Sequence, residues 1–331
     1  MSKNKVLIIT HTADNTSVDT VVKYIHDLGG DVIRFDVDRY PLRTELSSLF
    51  LDNKWKVVLA DGKTYHDLEN IDSVWYRRSH YIGKGLNESM DQAYLSAAMG
   101  EIKRSFYGMI EGLDCFQMEK YSTYRRLDSK EEQLKIAVKC GMQIPPTCIT
   151  NSPEELKTFI EQVKGPVVTK MQSSFSLYKK DKEQVVFTNE VLSEHLDELD
   201  SLSYCPMTFQ KKIEKKLELR VTIVGDQLFA FSIDSQNKER ARIDWRKEGV
   251  ILVDHWKPFN LPAHIRKQLL QYMDTYRLNY GAIDLILTPE DDYYFLELNP
   301  AGEYFWLDKL CDHAISKQIA SVLMNNTYRR E

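Results

Sequence analysis

The tightest constraint on this chain is a late hairpin that carries carboxylates within an otherwise apolar ribbon. Tyr280-Gly281-Ala282-Ile283-Asp284-Leu285-Ile286-Leu287 and Tyr294-Phe295-Leu296-Glu297-Leu298-Asn299-Pro300 read as buried strands, and Thr288-Pro289-Glu290-Asp291-Asp292 supplies the turn. Folding the ribbon symmetrically about that turn sets Asp284 opposite Glu297, and strand alternation gives Asn299 the same face as Glu297. Isolated buried carboxylates are costly and tend to be paired or metal-bound. One reading has both acids tipping to solvent on a half-exposed sheet, with Asn299-Pro300 closing the strand. The other has two carboxylates and an amide oxygen holding magnesium carried on a nucleotide's phosphates, which hard oxygen ligands suit. Pro300-Ala301-Gly302 is then a turn that lets backbone approach phosphate closely.

With 331 residues the chain has room for roughly two or three compact units with ample core. A net charge of −5 argues against wholesale electrostatic binding to nucleic acid. No apolar run approaches the roughly 20 residues needed to cross a bilayer, and Met1-Ser2-Lys3-Asn4-Lys5 leads into strand-like Val6-Leu7-Ile8-Ile9 without a signal peptide's apolar core. Cys115, Cys140, Cys148, Cys205 and Cys311 are odd in number and lack CxxC spacing, so neither a disulfide framework nor a zinc site is expected. A reducing cytoplasm is the natural setting.

Val6–Thr10, Asp14–Leu28 and Asp31–Phe35 read as strand, helix and strand, the start of a parallel sheet. The loop His11–Ser17 lies at the first strand's carboxyl end, where open α/β sheets bind ligands. It has no glycine fingerprint, which argues against nicotinamide cofactors. Trp55–Leu59 and Thr64–His66 form a hairpin; Gly62-Lys63-Thr64 echoes a P-loop, but Val57 stands where its first glycine must be. Ser73–Arg78 is a strand ending in two arginines. Alternation lets at most one of Arg77 and Arg78 face a cleft, where it would fork a carboxylate or phosphate; the other is a solvated strand end. Met90–Gly112 and Tyr121–Gly141 follow as helices, and the first unit closes between Asp114 and Asp128.

Gln143–Thr150 is extended, and Ser152 with Pro153 opens a helix. Gly165–Lys170 is a buried strand whose terminal Lys170, beside the Ser173–Ser176 loop, is either solvated or aimed at a phosphate. Gln184–Thr188 is another strand and Glu190–Leu202 a helix. Glu190, Glu194, Asp197 and Glu198 share one face of that helix, with no Lys or Arg from 190 to 200: a solvated surface, or a dock for a basic peptide segment. Thr208–Ile213 ends a strand, and Glu218–Asp226 with Gln227–Ile233 makes a hairpin that puts Glu218 and Arg220 on one face. Ala241–Arg246 continues the sheet. Residues 206–250 hold ten Lys/Arg against seven Asp/Glu, a modest hint of an anionic ligand in an acidic chain. Pro262–Tyr276 and Leu307–Asn325 close the chain as helices.

Together these residues resemble the ATP-grasp superfamily, and more narrowly the peptide-macrocyclising ligases of microviridin-type (graspetide) biosynthesis. The likeness rests on Val6–Thr16, Val74-Trp75-Tyr76-Arg77-Arg78, Glu218-Leu219-Arg220-Val221, Ile243-Asp244-Trp245-Arg246, and Ala282-Ile283-Asp284 with Leu296-Glu297-Leu298-Asn299-Pro300. It implies an α/β (α+β) ATP-grasp fold: an N-terminal pre-ATP-grasp domain over residues 1–120, a central subdomain over 121–205 and a C-terminal subdomain with the metal site over 206–331. It further implies ATP and two magnesium ions, held by Asp284, Glu297 and Asn299. Lys170 is placed at the phosphates, Gln210, Lys211, Lys212 and Ile213 form the hinge that meets adenine, and Glu218 meets ribose, with Glu214 the alternative. Arg220 and Arg246 steady the γ-phosphate and an acyl-phosphate. The acidic face Glu190, Glu194, Asp197 and Glu198 is assigned to a precursor's leader peptide, Arg77 and Arg78 to the peptide substrate, and a homodimer is implied.

The implied reaction is ATP-dependent phosphorylation of Asp or Glu side chains on a ribosomal precursor peptide, followed by attack of Ser or Thr hydroxyls to close ω-esters. Lys-derived ω-amides, or an amino-acid or glutamate ligase acting on small substrates or protein tails, are the alternatives. A nucleotide-binding module without chemistry requires degenerate metal ligands, whereas all three are present. No His/Asp or Cys/His nucleophile is evident, and none is needed when ATP activates the acid.

Overall fold

Four consecutive apolar residues, Val6 to Ile9, all fully buried, make the first strand a central one. In the computed structural model the described residues are 3–14, 16–170, 176–179, 182–185, 188–197, 199–236, 254–325 and 330. Strand β1 (Lys5–Thr10), helix α1 (Thr16–Asp27) and strand β2 (Asp31–Asp36) form the expected βαβ unit, with β1 and β2 parallel. A three-stranded antiparallel sheet follows: β3 (Thr44–Leu51), β4 (Lys54–Asp61) and β5 (Thr64–Asp67). The sequence reading missed β3. Its buried positions alternate only over Thr44 and Leu46, after which the strand runs on exposed. Strand β6 (Ser73–Tyr76), helices α2 (Leu86–Ser89) and α3 (Gln92–Glu111), and strand β7 (Phe116–Gln117) complete a parallel sheet in the order β2-β1-β6-β7.

The single helix expected over Tyr121–Gly141 is two, α4 (Tyr121–Leu127) and α5 (Lys130–Lys139). The break falls at Ser129, whose side chain accepts the Glu132 N–H and caps the second helix. Next come β8 (Thr147–Thr150), α6 (Pro153–Val163, capped by Ser152 as expected), β9 (Val167–Lys170), β10 (Ser176–Lys179), β11 (Lys182–Val185), β12 (Asn189–Glu190), α7 (Ser193–Leu196) and β13 (Met207–Lys211). The strand expected at Gln184–Thr188 is β11, which begins at Lys182 and pairs with β10. The sheet order is β12-β9-β13-β8.

A helix over Glu190–Leu202 does not form. Glu190 lies in β12, paired with Val168 of β9; α7 spans four residues, and Leu199–Tyr204 is a 3-10 turn. The edge of β9 captures Asn189–Glu190 and the Val191 N–H, which holds the start of the segment extended. The shared acidic face is therefore absent, and Glu198 lies outside the described residues.

The C-terminal sheet, in the order β16-β15-β14-β17-β18, comprises β14 (Leu217–Val224), β15 (Gln227–Ile233), β16 (Lys257–Pro258), β17 (Tyr280–Leu287) and β18 (Tyr293–Asn299). Helix α8 (Ala263–Tyr276) packs Leu269, Tyr272 and Met273 against Leu219, Val221, Ile283 and Leu285 on one face. The other face divides. Val224 and Tyr280, at one end, join a core with α1 and with α10 (Ala314–Asn325), which ties this sheet to the N-terminal strands. Glu218, Arg220 and Asp284, at the other end, are left for a cleft. The expected closing helix Leu307–Asn325 is split into α9 (Phe305–Asp308) and α10, because buried Asp308 accepts the Ile315 and Ser316 N–H groups at 3.0 and 3.1 Å and starts a new helix. Among the described residues no helix is long and apolar enough to cross a membrane.

Candidate active site

A cleft of about 610 Å³ opens over the polar end of the C-terminal sheet, facing β9 and β13. Lys170, Gln210, Lys211, Lys212, Ile213, Glu218, Arg220, Asp284, Glu297 and Asn299 all line it, although they come from five separate stretches of chain. Glu214 is exposed and does not. Glu218 accepts from the Ser235 hydroxyl at 2.6 Å and pairs with Lys215 at 3.1 Å. The N–H groups of Lys211 and Lys212 donate to the Pro146 and Pro166 carbonyls at 2.9 and 2.8 Å, which fixes the backbone where β13 ends. Glu190 pairs with Lys212 at 2.7 Å, while Glu194 and Asp197 are exposed. Arg246 and the strand expected at Ala241–Arg246 lie outside the described residues.

Asp284 does face Glu297 across β17 and β18. The turn alone would not place it there. Leu287, Ile286 and Leu285 pair with Tyr293, Tyr294 and Phe295, a register that would carry Leu296 to Asp284; a bulge at Leu296 advances the strand so that Glu297 arrives instead. Arg220 Nη1 lies 2.8 Å from both Asp284 oxygens, and Lys130 Nζ lies 2.8 Å from Glu297 Oε2. The Asn299 amide donates to Glu297 Oε1 at 3.3 Å. The acids are thus 29% and 22% exposed, turned to the cleft and held by cations rather than tipping away from each other. This donor set fits magnesium: two carboxylates and an amide oxygen, partly open, with further oxygens left for phosphate and water to supply. Among the described residues no three His, Cys, Asp or Glu side chains gather as a self-sufficient metal centre.

Gly302 closes this corner. A Cβ there would sit 2.5 Å from the Ala282 Cβ and 2.7 Å from Arg220 Nη2, too close for either. Gly302→Ala is expected to push the turn off β17, lower the thermal midpoint by several degrees and weaken ATP binding about tenfold. Calorimetric titration of nucleotide and a melting curve check both effects.

Arg77 and Arg78 correct the sequence expectation that only one faces inward. Strand β6 ends at Tyr76, and the N–H groups of both arginines donate to the Ile9 carbonyl at 3.0 Å, so the chain leaves the pleat and alternation lapses. Arg77, 1% exposed, donates to the Ala301 carbonyl at 2.6 Å and to Glu303 at 2.8 Å. Arg78 bonds the other Glu303 oxygen, and Asp14 lies 3.8 Å from each guanidinium. Burial pushes the Asp14 carboxyl up, but Arg77, Arg78 and the Thr10 hydroxyl outweigh it and hold it below its usual range. Burial, and then Arg77, pulls Arg78 down to about 10, so it stays charged at neutral pH. Burial and then Arg78 lower His80 to about 4, which keeps it neutral. A second hollow, lined by Arg77, Arg78, Lys103, Tyr107 and Tyr124, meets the first at Ala301.

Beneath Arg77, burial raises the Glu119 carboxyl well above the usual carboxylate range, opposed only in part by the Tyr280 N–H and Arg77. The unfolded chain releases this proton near 4.5 and the folded chain at higher pH, so Glu119 costs stability as pH rises above about 4.5. Glu119→Gln is expected to match wild type near pH 4 and to be the more stable at pH 8, read from denaturant unfolding at both pH values.

Sequence reasoning missed Lys130, Glu303, Glu119 and the part played by Asp14. Their partners are distant in sequence, 167 residues away for Lys130, so no local pattern signals them.

Residues 5–125 match the MvdD pre-ATP grasp domain and residues 127–323 the RimK-like ATP-grasp domain. A RiPP-associated ATP-grasp ligase from Chryseobacterium gregarium, solved in complex with ADP and a leader and core peptide, is 53% identical with a TM-score of 0.95, over 99% of this chain and 98% of that one. The macrocyclase MdnC from Microcystis aeruginosa MRC, bound with precursor peptide MdnA, is 40% identical with a TM-score of 0.87, over 97% and 99%. The macrocyclase MdnB from the same organism is 32% identical with a TM-score of 0.82, over 97% and 99%. No curated protein matches the chain. With both domain types present in order and these likenesses running over nearly the whole length, the chain belongs to the RiPP-associated ATP-grasp macrocyclase family and is an ATP-dependent ligase.

Proposed function

We propose that the protein closes macrocycles in a ribosomal precursor peptide by microviridin-type ω-ester formation. A side-chain carboxylate of Asp or Glu attacks the γ-phosphorus of ATP, and ADP leaves; a Ser or Thr hydroxyl then attacks the acyl carbon, and phosphate leaves with loss of one proton. The observation that carries this reading is the meeting of two hollows at Ala301, one with the acid pair and Arg220, the other with Arg77 and Arg78. Two anions must approach one another, and fixed cations on both sides offset their repulsion. The complexes of the Chryseobacterium gregarium ligase with leader and core peptide, and of MdnC with its precursor peptide, support a peptide partner.

In this reading Gln210, Lys211, Lys212 and Ile213 border adenine, Glu218 the ribose, and Lys170, Arg220 and Arg246 the phosphates. Asp284, Glu297 and Asn299 hold magnesium, two ions in all, and when bound the metal neutralises phosphate charge. Arg77 and Arg78 border the core peptide. The leader meets the exposed acids Glu194 and Asp197, Glu190 being committed to Lys212. The units are residues 1–120, 121–205 and 206–331, and the enzyme works as a homodimer in the cytoplasm.

The test is incubation with ATP, magnesium and a peptide bearing repeated Thr/Ser and Asp/Glu in its tail. Mass spectrometry is expected to show one water lost per ring, ADP formed in step, and rings opened by mild alkali as esters are. ADP release with free amino acids and no peptide would replace this reading with a small-substrate ligase.

A further inference from the structure

Strand β18, which carries Glu297 and Asn299, is the edge of the C-terminal sheet. An edge strand leaves backbone groups unpaired along its outer side. Here the side-chain amide of Gln133, on α5 and 1% exposed, takes the place of a neighbouring strand. Its Oε1 accepts the Leu298 N–H at 2.8 Å, and its Nε2 donates to the Leu298 carbonyl at 3.1 Å and the Leu127 carbonyl at 2.7 Å. Leu298 is the residue between the two cleft-facing side chains. On the far side of the bulge, the Phe295 N–H donates to the Gln143 carbonyl at 2.8 Å. The bulge at Leu296 is thus pinned at both ends. Lys130, three residues before Gln133 and so on the same side of α5, reaches Glu297.

The consequence follows from strand geometry. A slip of one residue between β17 and β18 moves every side chain of the slipped strand to the other face. Glu297 would then sit opposite Ile283, which is fully buried against α8, and Asn299 would leave the cleft with it. We propose that Gln133 is a positioning residue for the magnesium site: by standing in for a missing strand, its amide keeps the Leu296 bulge in register so that Glu297 and Asn299 both meet the cleft. This role rests on those two residues being the magnesium ligands proposed above.

The experiment is calorimetric ADP binding with and without magnesium, which needs neither peptide nor turnover. Wild type is expected to bind ADP more tightly with the metal. Gln133→Met keeps the volume and removes the hydrogen bonds. It is expected to hold metal-free ADP affinity within about twofold and to cut the magnesium-dependent gain at least about tenfold. If Gln133→Met does not fold by circular dichroism, Gln133→Glu is measured instead; it keeps an acceptor for Leu298, loses the donor, and is expected to cut the gain at least about threefold. A folded variant whose gain stays within about twofold of wild type overturns the proposal. Failure of both variants to fold also overturns it, making Gln133 a residue of the fold alone. A wild type with no magnesium-dependent gain overturns the metal reading itself, and this role with it.

Discussion

Glu297→Gln is expected to lower ring closure by about 10³-fold, equivalent to about 4 kcal/mol in the activation barrier. The substitution keeps the side chain's shape and removes one of only two carboxylates that β17 and β18 present to the cleft. It also leaves Lys130, 2.8 Å from the lost charge, without its counter-ion at the site proposed for metal and triphosphate. The side chain is 22% exposed and is not among the residues of the hydrophobic clusters, so a melting curve run alongside separates loss of fold from loss of chemistry. Single-turnover mass spectrometry on the precursor peptide gives the rate, and ADP titration without magnesium shows whether the adenine end is intact. Retention of more than about a tenth of the wild-type rate would remove Glu297 from the metal set.

Arg77→Met carries the second large effect, on stability. Arg77 joins the N-terminal strand β6 to the Ala301–Glu303 turn, 224 to 226 residues away, and its side chain is 1% exposed. Methionine fills the volume but leaves Glu303 with Arg78 alone, and Asp14 without its strongest compensating charge. Breaking a buried pair from one side costs about 3–5 kcal/mol, and a thermal midpoint lower by roughly 5–10 °C is expected at pH 7. The pH dependence has a definite sign. Asp14 is held below its ordinary value of 3.8, so its contribution is present above that value and is lost as pH falls through the folded-state pKa. The gap between wild type and Arg77→Met should therefore narrow in acid below about pH 3.8. Arg77→Lys keeps the charge but not the fork to Ala301 and Glu303, and should fall between the two. A midpoint shift of less than about 1 °C at pH 7 would show that the turn is held by other contacts.

Elements whose register is set within a few residues were legible from the chain alone. The βαβ opening, the Ser152 cap and the Glu218–Arg220 face follow from alternation or capping, whereas Asp284 and Glu297 pair as expected only because a bulge at Leu296 corrects the register of the turn. Where the reading failed, a neighbour in space overrode a local pattern. The acidic helix was lost because β9 captured Glu190; the helix from Tyr121, by contrast, was cut by a local signal the reading overlooked, the Ser129 cap. Both arginines turned inward because the chain left the pleat at Tyr76.

By itself the sequence determined which residue types could meet a metal-bearing nucleotide, since alternation and turn chemistry act over a few residues. Only the tertiary structure decided that they share one cleft. The Gln133 amide on the strand edge and the counter-ions Lys130 and Arg77 act between segments more than 160 residues apart, and no local periodicity encodes a contact over that separation.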